Sequence, residues 1–167
     1  FECVAMARIR PIRQVLVVAR DPAKASAFVG ALKDEGLEAA CVGAKEACER
    51  ADIVVTATPS RAPLFEADWI RPGTHVSSMG SDAVGKQELP PALFDRAALY
   101  CDYPAQALKM GDLQHFRGDI SQVMAIGDVL HGRAPGRISD DQITVFDSSG
   151  IALQDLTIAL RLVAARG

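Results

Sequence analysis

The segment Ser77-Ser-Met-Gly-Ser-Asp-Ala-Val-Gly-Lys86 sets one carboxylate, Asp82, four residues before one ammonium, Lys86, among small side chains. Small residues let a ligand approach the backbone. A carboxylate there moves protons near a substrate amine, and an ammonium meets a phosphate or a carboxylate. The same residues also describe a surface loop closed by an ion pair. Three other segments carry chemistry of this kind. Thr56-Ala-Thr-Pro59 offers small hydroxylated residues, read either as room for a ligand or as an ordinary strand end. Asp147-Ser-Ser-Gly150 precedes a helical stretch, where a helix amino terminus attracts anions and where the same residues serve as caps. Ala19-Arg20-Asp21 places a guanidinium beside a helix start, either as a phosphate ligand or as a solvated loop residue next to a capping aspartate.

The elements that would position these segments follow a strand–helix rhythm. Gln14 to Ala19, Leu37 to Val42, Asp52 to Thr58, Thr74 to Met79 and Ala98 to Cys101 read as strands, several of them as continuous apolar runs suited to a sheet covered on both faces. Between them Ala23 to Glu35, stopped by Gly36, and Ala44 to Arg50 have helical character, as do Phe1 to Arg10 and Pro90 to Arg96. In the last third the spacing predicts a helix over Ile120 to Leu130, a polar loop over Arg133 to Asp141, a strand over Gln142 to Phe146 and a final helix from Ile151 to Ala165 capped from Asp147-Ser-Ser149. This alternation predicts an α/β fold, an open, doubly wound parallel sheet. In such a sheet ligands bind beyond the carboxyl ends of the strands, which is where all four segments fall. In a dinucleotide fold an acidic residue at the second strand end favours NAD, and an arginine nearby favours NADP(H). Ala19-Arg20 therefore leans toward NADP(H), with the solvated-loop reading left open.

The composition excludes other classes. The 167 residues carry a net charge of −3, with 49% hydrophobic and 23% charged residues, which offers no basic field for nucleic acid or an anionic membrane. No apolar run reaches the roughly 20 residues of a membrane span, and no signal peptide is visible, so the expected location is cytoplasmic. The four cysteines, Cys3, Cys41, Cys48 and Cys101, form no C-x-x-C pair, and His75, His115 and His131 are scattered. No metal site is expected, and the cysteines read as reduced packing residues. The chain opens on Phe1 inside a helical pattern with no cap and no Gly-rich phosphate turn before it. That suggests a fragment whose first strand and turn lie upstream.

Several separate motifs carry a family likeness. Ala51-Asp-Ile-Val-Val-Thr-Ala-Thr-Pro59, Trp69-Ile-Arg-Pro-Gly-Thr-His-Val76, Gly80-Ser-Asp-Ala-Val-Gly-Lys-Gln-Glu-Leu89 and Gly136 to Gly150 with Ala152-Leu-Gln-Asp155 occur in one order, and Arg10-Pro-Ile-Arg13 opens them. Together they resemble the ornithine cyclodeaminase/mu-crystallin family. The resemblance implies a Rossmann-type cofactor domain, here residues 1–150 and incomplete at its N-terminal edge. It places the helix over 151–167 near a domain interface of a two-domain homodimer. It implies hydride transfer between NAD(P) and the α-carbon of an amino or imino acid, either ornithine to proline with ammonia release or reduction of a cyclic imine. The alternative is a mu-crystallin-like protein that binds NADPH and a small ligand without turnover. By the same resemblance Asp82 is the catalytic and substrate-binding aspartate, and Ser149 a substrate-side position. Cofactor contacts fall on Thr58, Val76, Ser77, Ser78, Met79, Lys86 and Ser148, with Arg20 at the 2′-phosphate. The substrate partner is a small amino or cyclic imino acid. The family's other substrate-binding residues belong to an amino-terminal half not present in this chain, so the chain by itself is expected to be inactive.

Overall fold

The computed structural model describes residues 2–165, arranged in two compact units that divide between Ala51 and Asp52. In the first, helix α1 (Glu2–Ile9) leads to strand β1 (Val15–Val17), helix α2 (Pro22–Asp34), strand β2 (Ala39–Cys41) and helix α3 (Ala44–Arg50). β1 and β2 pair in parallel, Val15 with Ala39 through Val17 with Cys41. α2 begins where it does because Asp21 Oδ1 accepts from the N–H groups of Ala23 (2.9 Å) and Lys24 (3.2 Å) while Pro22 occupies the first turn, where no N–H is needed. Its inner face buries Ala25 and Leu32 against Val17 and Ala39, with Cys3, Val15, Val29 and Leu37 around them.

The second unit holds a five-stranded, wholly parallel sheet. Its strands are β3 (Ile53–Thr56), β4 (His75–Ser78), β5 (Ala97–Cys101), β6 (Val123–Ala125) and β7 (Ile143–Asp147), in the order β3-β4-β7-β5-β6. Helix α4 (Pro104–Met110) follows β5, short helix α5 (Ile126–Leu130) follows β6 and helix α6 (Ala152–Ala164) follows β7. The central strands supply fully buried Val76, Leu99 and Val145, and the connections add fully buried Ile70, Leu89, Leu93 and Leu113. α6 leaves Leu153, Leu156, Leu160 and Val163, spaced along one stripe, exposed. Among the described residues no helix is long and apolar enough to cross a membrane, and no His, Cys, Asp and Glu cluster could hold a metal ion.

The α/β fold and its parallel sheet agree with the sequence reading, and three points are corrected. Residues 120–130 are not one helix. They form a 3₁₀ turn (Ile120–Gln122), strand β6 and α5, because Val123 to Ala125 complete the sheet edge against Leu99 to Cys101. Ladder pairing of a short apolar run overrides its local helical pattern. The helical reading of Pro90 to Arg96 holds, as a 3₁₀ helix over Pro91–Arg96. The Asp147-Ser-Ser149 run does not cap α6, whose N-cap is Ile151 without a side-chain bond, because Asp147 is spent inside the sheet. Cys48 and Cys101 are buried as expected, but Cys41 is exposed.

Candidate functional site

All five strands of the second unit point the same way, so their carboxyl ends share one edge. Register fixes which residues meet there: Thr56 lies beside Ser78, Ser78 beside Asp147, and Asp147 beside Cys101. Parallel neighbours in register project to the same face. The last rung is thus a row of four buried side chains, three of them polar.

Three carboxylates satisfy this row. Glu88 Oε2 accepts from Thr56 Oγ1 (2.8 Å) and Gly80 N–H (2.9 Å), and Oε1 accepts from Thr58 N–H (2.5 Å). Asp112 Oδ1 accepts from the N–H groups of Glu88 (2.8 Å) and Leu89 (3.1 Å). Asp147 accepts from the N–H groups of Asp112 (3.1 Å) and Leu113 (2.9 Å). Ser78 Oγ lies 2.5 Å from Asp112 Oδ2 and 3.3 Å from Glu88 Oε2. A hydroxyl has one proton, so both contacts are hydrogen bonds only if one of the two carboxyls contributes a proton of its own. Burial, reinforced by the Glu88 charge, raises the Asp112 carboxyl above its ordinary range despite bonds from Ser78, Glu88 and Leu89. Burial likewise lifts Asp147 to about 7, with Asp112 and Asp102 adding and two backbone bonds opposing. It pushes the Cys101 thiol to about 12, so that side chain is inert packing.

The loop that leaves β4 carries Asp82 and Lys86 on top of this buried base. Lys86 N–H bonds to Ala83 O (3.1 Å) around Gly85, whose φ of +77° is the left-handed conformation that the third residue of a type II turn requires. The turn brings the Lys86 ammonium back onto the Asp82 carboxylate and within 3.3 Å of Gly80 O. That hydrogen bond holds the Asp82 carboxyl below its usual range. The Asp82 side chain is 61% exposed and that of Lys86 22%, so the pair faces solvent at the sheet edge while the lysine stem is covered. Gly80 is the close approach below them: a Cβ there would stand 2.7 Å from Glu88 Cδ and 2.5 Å from Thr58 N. Gly80→Ala is expected to cost about 1–3 kcal/mol through overpacking, read as a lower Tm. An unchanged Tm would show that the Glu88 seat is loose.

The remaining sequence-predicted residues fall as follows. Val76, Ser77 and Ser78 are buried in β4, while Thr58 and Met79 are half-buried just past β3 and β4. Ser149 Oγ donates to Asp102 Oδ1 (3.1 Å) and Ser148 Oγ reaches Asp102 Oδ2 at 3.4 Å, with Gly150 N–H on the same oxygen (2.7 Å). Asp102, just past β5, thus fixes the loop after β7. These residues and the Asp82–Lys86 pair lie along one edge of the second unit. Arg20 belongs to the first unit and is exposed in the turn before α2. There, beyond the ends of β1 and β2, a shallow open hollow of about 410 Å³ is lined by small residues, Ala19, Ala25, Ser26 and Gly43 among them. Sequence reasoning missed Glu88, Asp112 and Asp102. The only signal was the position of Glu88 inside the Gly80 to Leu89 motif.

The ornithine cyclodeaminase/mu-crystallin family model matches residues 1–166. An alanine dehydrogenase of Archaeoglobus fulgidus is 37% identical over 95% of this chain and 51% of its own length. The crystal structure of the iminosuccinate reductase of Paracoccus denitrificans in complex with NAD+ superimposes with a TM-score of 0.90 at 34% identity, over 96% of this chain and 51% of that one. The Thermococcus litoralis Δ1-pyrroline-2-carboxylate reductase, in complex with NADH and L-proline, gives a TM-score of 0.86 at 28% identity, over 92% and 50%. The chain spans about half the length of the curated relatives it matches. The parallel sheet, the order of the motifs along it and the match over nearly every residue agree, and the chain belongs to the ornithine cyclodeaminase/mu-crystallin family.

Proposed function

We propose that this chain is the nucleotide-binding part of an NAD(P)-dependent enzyme that moves a hydride to or from the α-carbon of an amino or imino acid. The observation that carries the proposal is the Asp82–Lys86 pair, displayed at the carboxyl edge of a parallel sheet on a loop seated over buried acceptors. Relatives described as dehydrogenases and reductases, two of them with NAD+ or NADH bound, support the cofactor class. The residues fit such a group. Small side chains surround the hollow beyond β1 and β2, Arg20 stands exposed next to Ala19, and Lys86 offers an ammonium to a phosphate or carboxylate.

The nicotinamide supplies the hydride exchange when bound. The protein's own part is to orient and to handle protons. Asp82, kept ionised by Lys86, takes the proton released from the substrate nitrogen during oxidation and returns it during imine reduction. Thr58, Met79 and Ser148 would meet a dinucleotide at the strand ends, with Val76, Ser77 and Ser78 forming the strand beneath. Ser149 would face the substrate. Ala19-Arg20 favours NADP(H) and, with it, cyclic-imine reduction over cyclodeamination.

The test uses the full-length gene product. Reduced-nicotinamide absorbance is followed with pyrroline-2-carboxylate and piperideine-2-carboxylate, with NADPH and NADH in parallel, and ammonia is assayed from ornithine. The expected outcome is imine reduction, faster with NADPH, and no ammonia. Ammonia release with catalytic NAD would make it a cyclodeaminase, and tight ligand binding without turnover would favour the mu-crystallin-like alternative.

A further inference from the structure

Resting on the functional reading above, we propose that Gln114 is the positioning residue that clamps the loop carrying Asp82 and Lys86. Its side chain bridges two segments nearly 30 residues apart. Oε1 accepts from Gly85 N–H at 2.8 Å. Nε2 lies 3.2 Å from Ala83 O and 3.2 Å from Lys86 O on the loop, and 3.2 Å from Met110 O and 2.9 Å from Gly111 O on its own segment. The orientation is unique: turned over, the amide would set its donors against an N–H and its oxygen against four carbonyls. The clamp closes on the turn Ala83 to Lys86, the turn that folds the ammonium back over Asp82. His115 adds a contact to Lys86 O at 2.9 Å.

The clamp is itself anchored. Gln114 sits in the 3₁₀ turn Asp112–His115, whose first two N–H groups are bound by fully buried Asp147 and whose Asp112 carboxylate holds Glu88 and Leu89. Glu88 holds Gly80, the start of the loop, and Gln114 holds its end. The exposed pair at the tip therefore rests on both sides on groups fixed to the last rung of the sheet. No other side chain of Gln114's length does this. Methionine has neither donor nor acceptor of use, and glutamate would keep an acceptor for Gly85 N–H but aim its second oxygen at four carbonyls.

The experiment compares Gln114→Met and Gln114→Glu with the wild type in the full-length protein, reading kcat, KM, the cofactor dissociation constant by titration, Tm, and exchange of the Gly85 amide by NMR. A displaced catalytic group costs rate, so for Gln114→Met kcat is expected to fall about 10-fold or more while KM for the imino acid moves less than about threefold. Cofactor binding weakens because Lys86 is freed, Gly85 exchanges faster, and Tm hardly changes. Gln114→Glu shows larger losses. Unchanged kcat, cofactor affinity and Gly85 exchange in Gln114→Met would overturn the proposal, as would a fast-exchanging Gly85 amide in the wild type, a measurement independent of how the variants fold. If the wild type turns over no amino or imino acid, the functional reading fails, and Gly85 exchange with cofactor affinity still decides the clamp.

Discussion

Replacing Asp82 by asparagine in the full-length protein is expected to lower kcat by about 10²- to 10⁴-fold, the usual worth of a positioned general acid–base. Cofactor affinity should change little, because asparagine keeps the size of the side chain and leaves Lys86 with its bond to Gly80 O. Stability should hold as well. The Asp82 carboxylate is mostly exposed, and an exposed ion pair contributes at most about 1 kcal/mol. A large loss of turnover with cofactor affinity and Tm retained separates a chemical role from a structural one. Near-normal turnover would remove Asp82 from the mechanism.

The second large effect is on stability against pH. Asp147 titrates near 7 in the folded chain, far above an ordinary aspartate, and Asp112 is raised too. A carboxyl whose folded pKa is raised binds its proton more tightly when folded. Its stabilising share is complete below the unfolded pKa of about 4 and is lost as pH climbs through about 7. Folding stability is therefore expected to fall from pH 5 to pH 8, by a few kcal/mol on the order of one pKa unit per 1.4 kcal/mol. Thermal melts across that range check it. Asp147→Asn sets an amide N–H against one of the two backbone donors. It should be less stable at pH 5 by about 1–3 kcal/mol, with the slope largely removed. A flat wild-type profile, or an unchanged slope in the variant, would show that Asp147 is ionised throughout.

Much of the scaffold was legible because β3 is a β-branched run and β4 and β7 lie mostly buried, each set off by turn residues. The exposed part of the site was legible for a different reason: Asp82 and Lys86 stand four residues apart in the chain among small residues. β6 was not, since three apolar residues at a sheet edge look the same as the start of a helix until Leu99 to Cys101 stand beside them. The buried carboxylates were not legible either. Acidic side chains are mostly exposed, and the groups that make Asp112 tolerable inside, such as the Glu88 N–H, lie 24 residues away in sequence. Asp147 misled because a helix follows it closely, which suggests a cap, whereas its place in the register decides its partners.

That register has a meaning for folding specificity. A parallel sheet of apolar strands tolerates slippage by one residue poorly only if something penalises the shifted pairing. Here a slip of β7 against its neighbours would bring Phe146 to the position of Asp147, turn the carboxylate to the opposite face and leave the N–H groups of Asp112 and Leu113 without acceptors. At about 1–3 kcal/mol for each orphaned buried donor, misaligned sheets are disfavoured by a margin comparable to a large part of a domain's net stability. The polar last rung thus acts as an alignment key, selecting one pairing of the strands out of several that the apolar residues alone would accept.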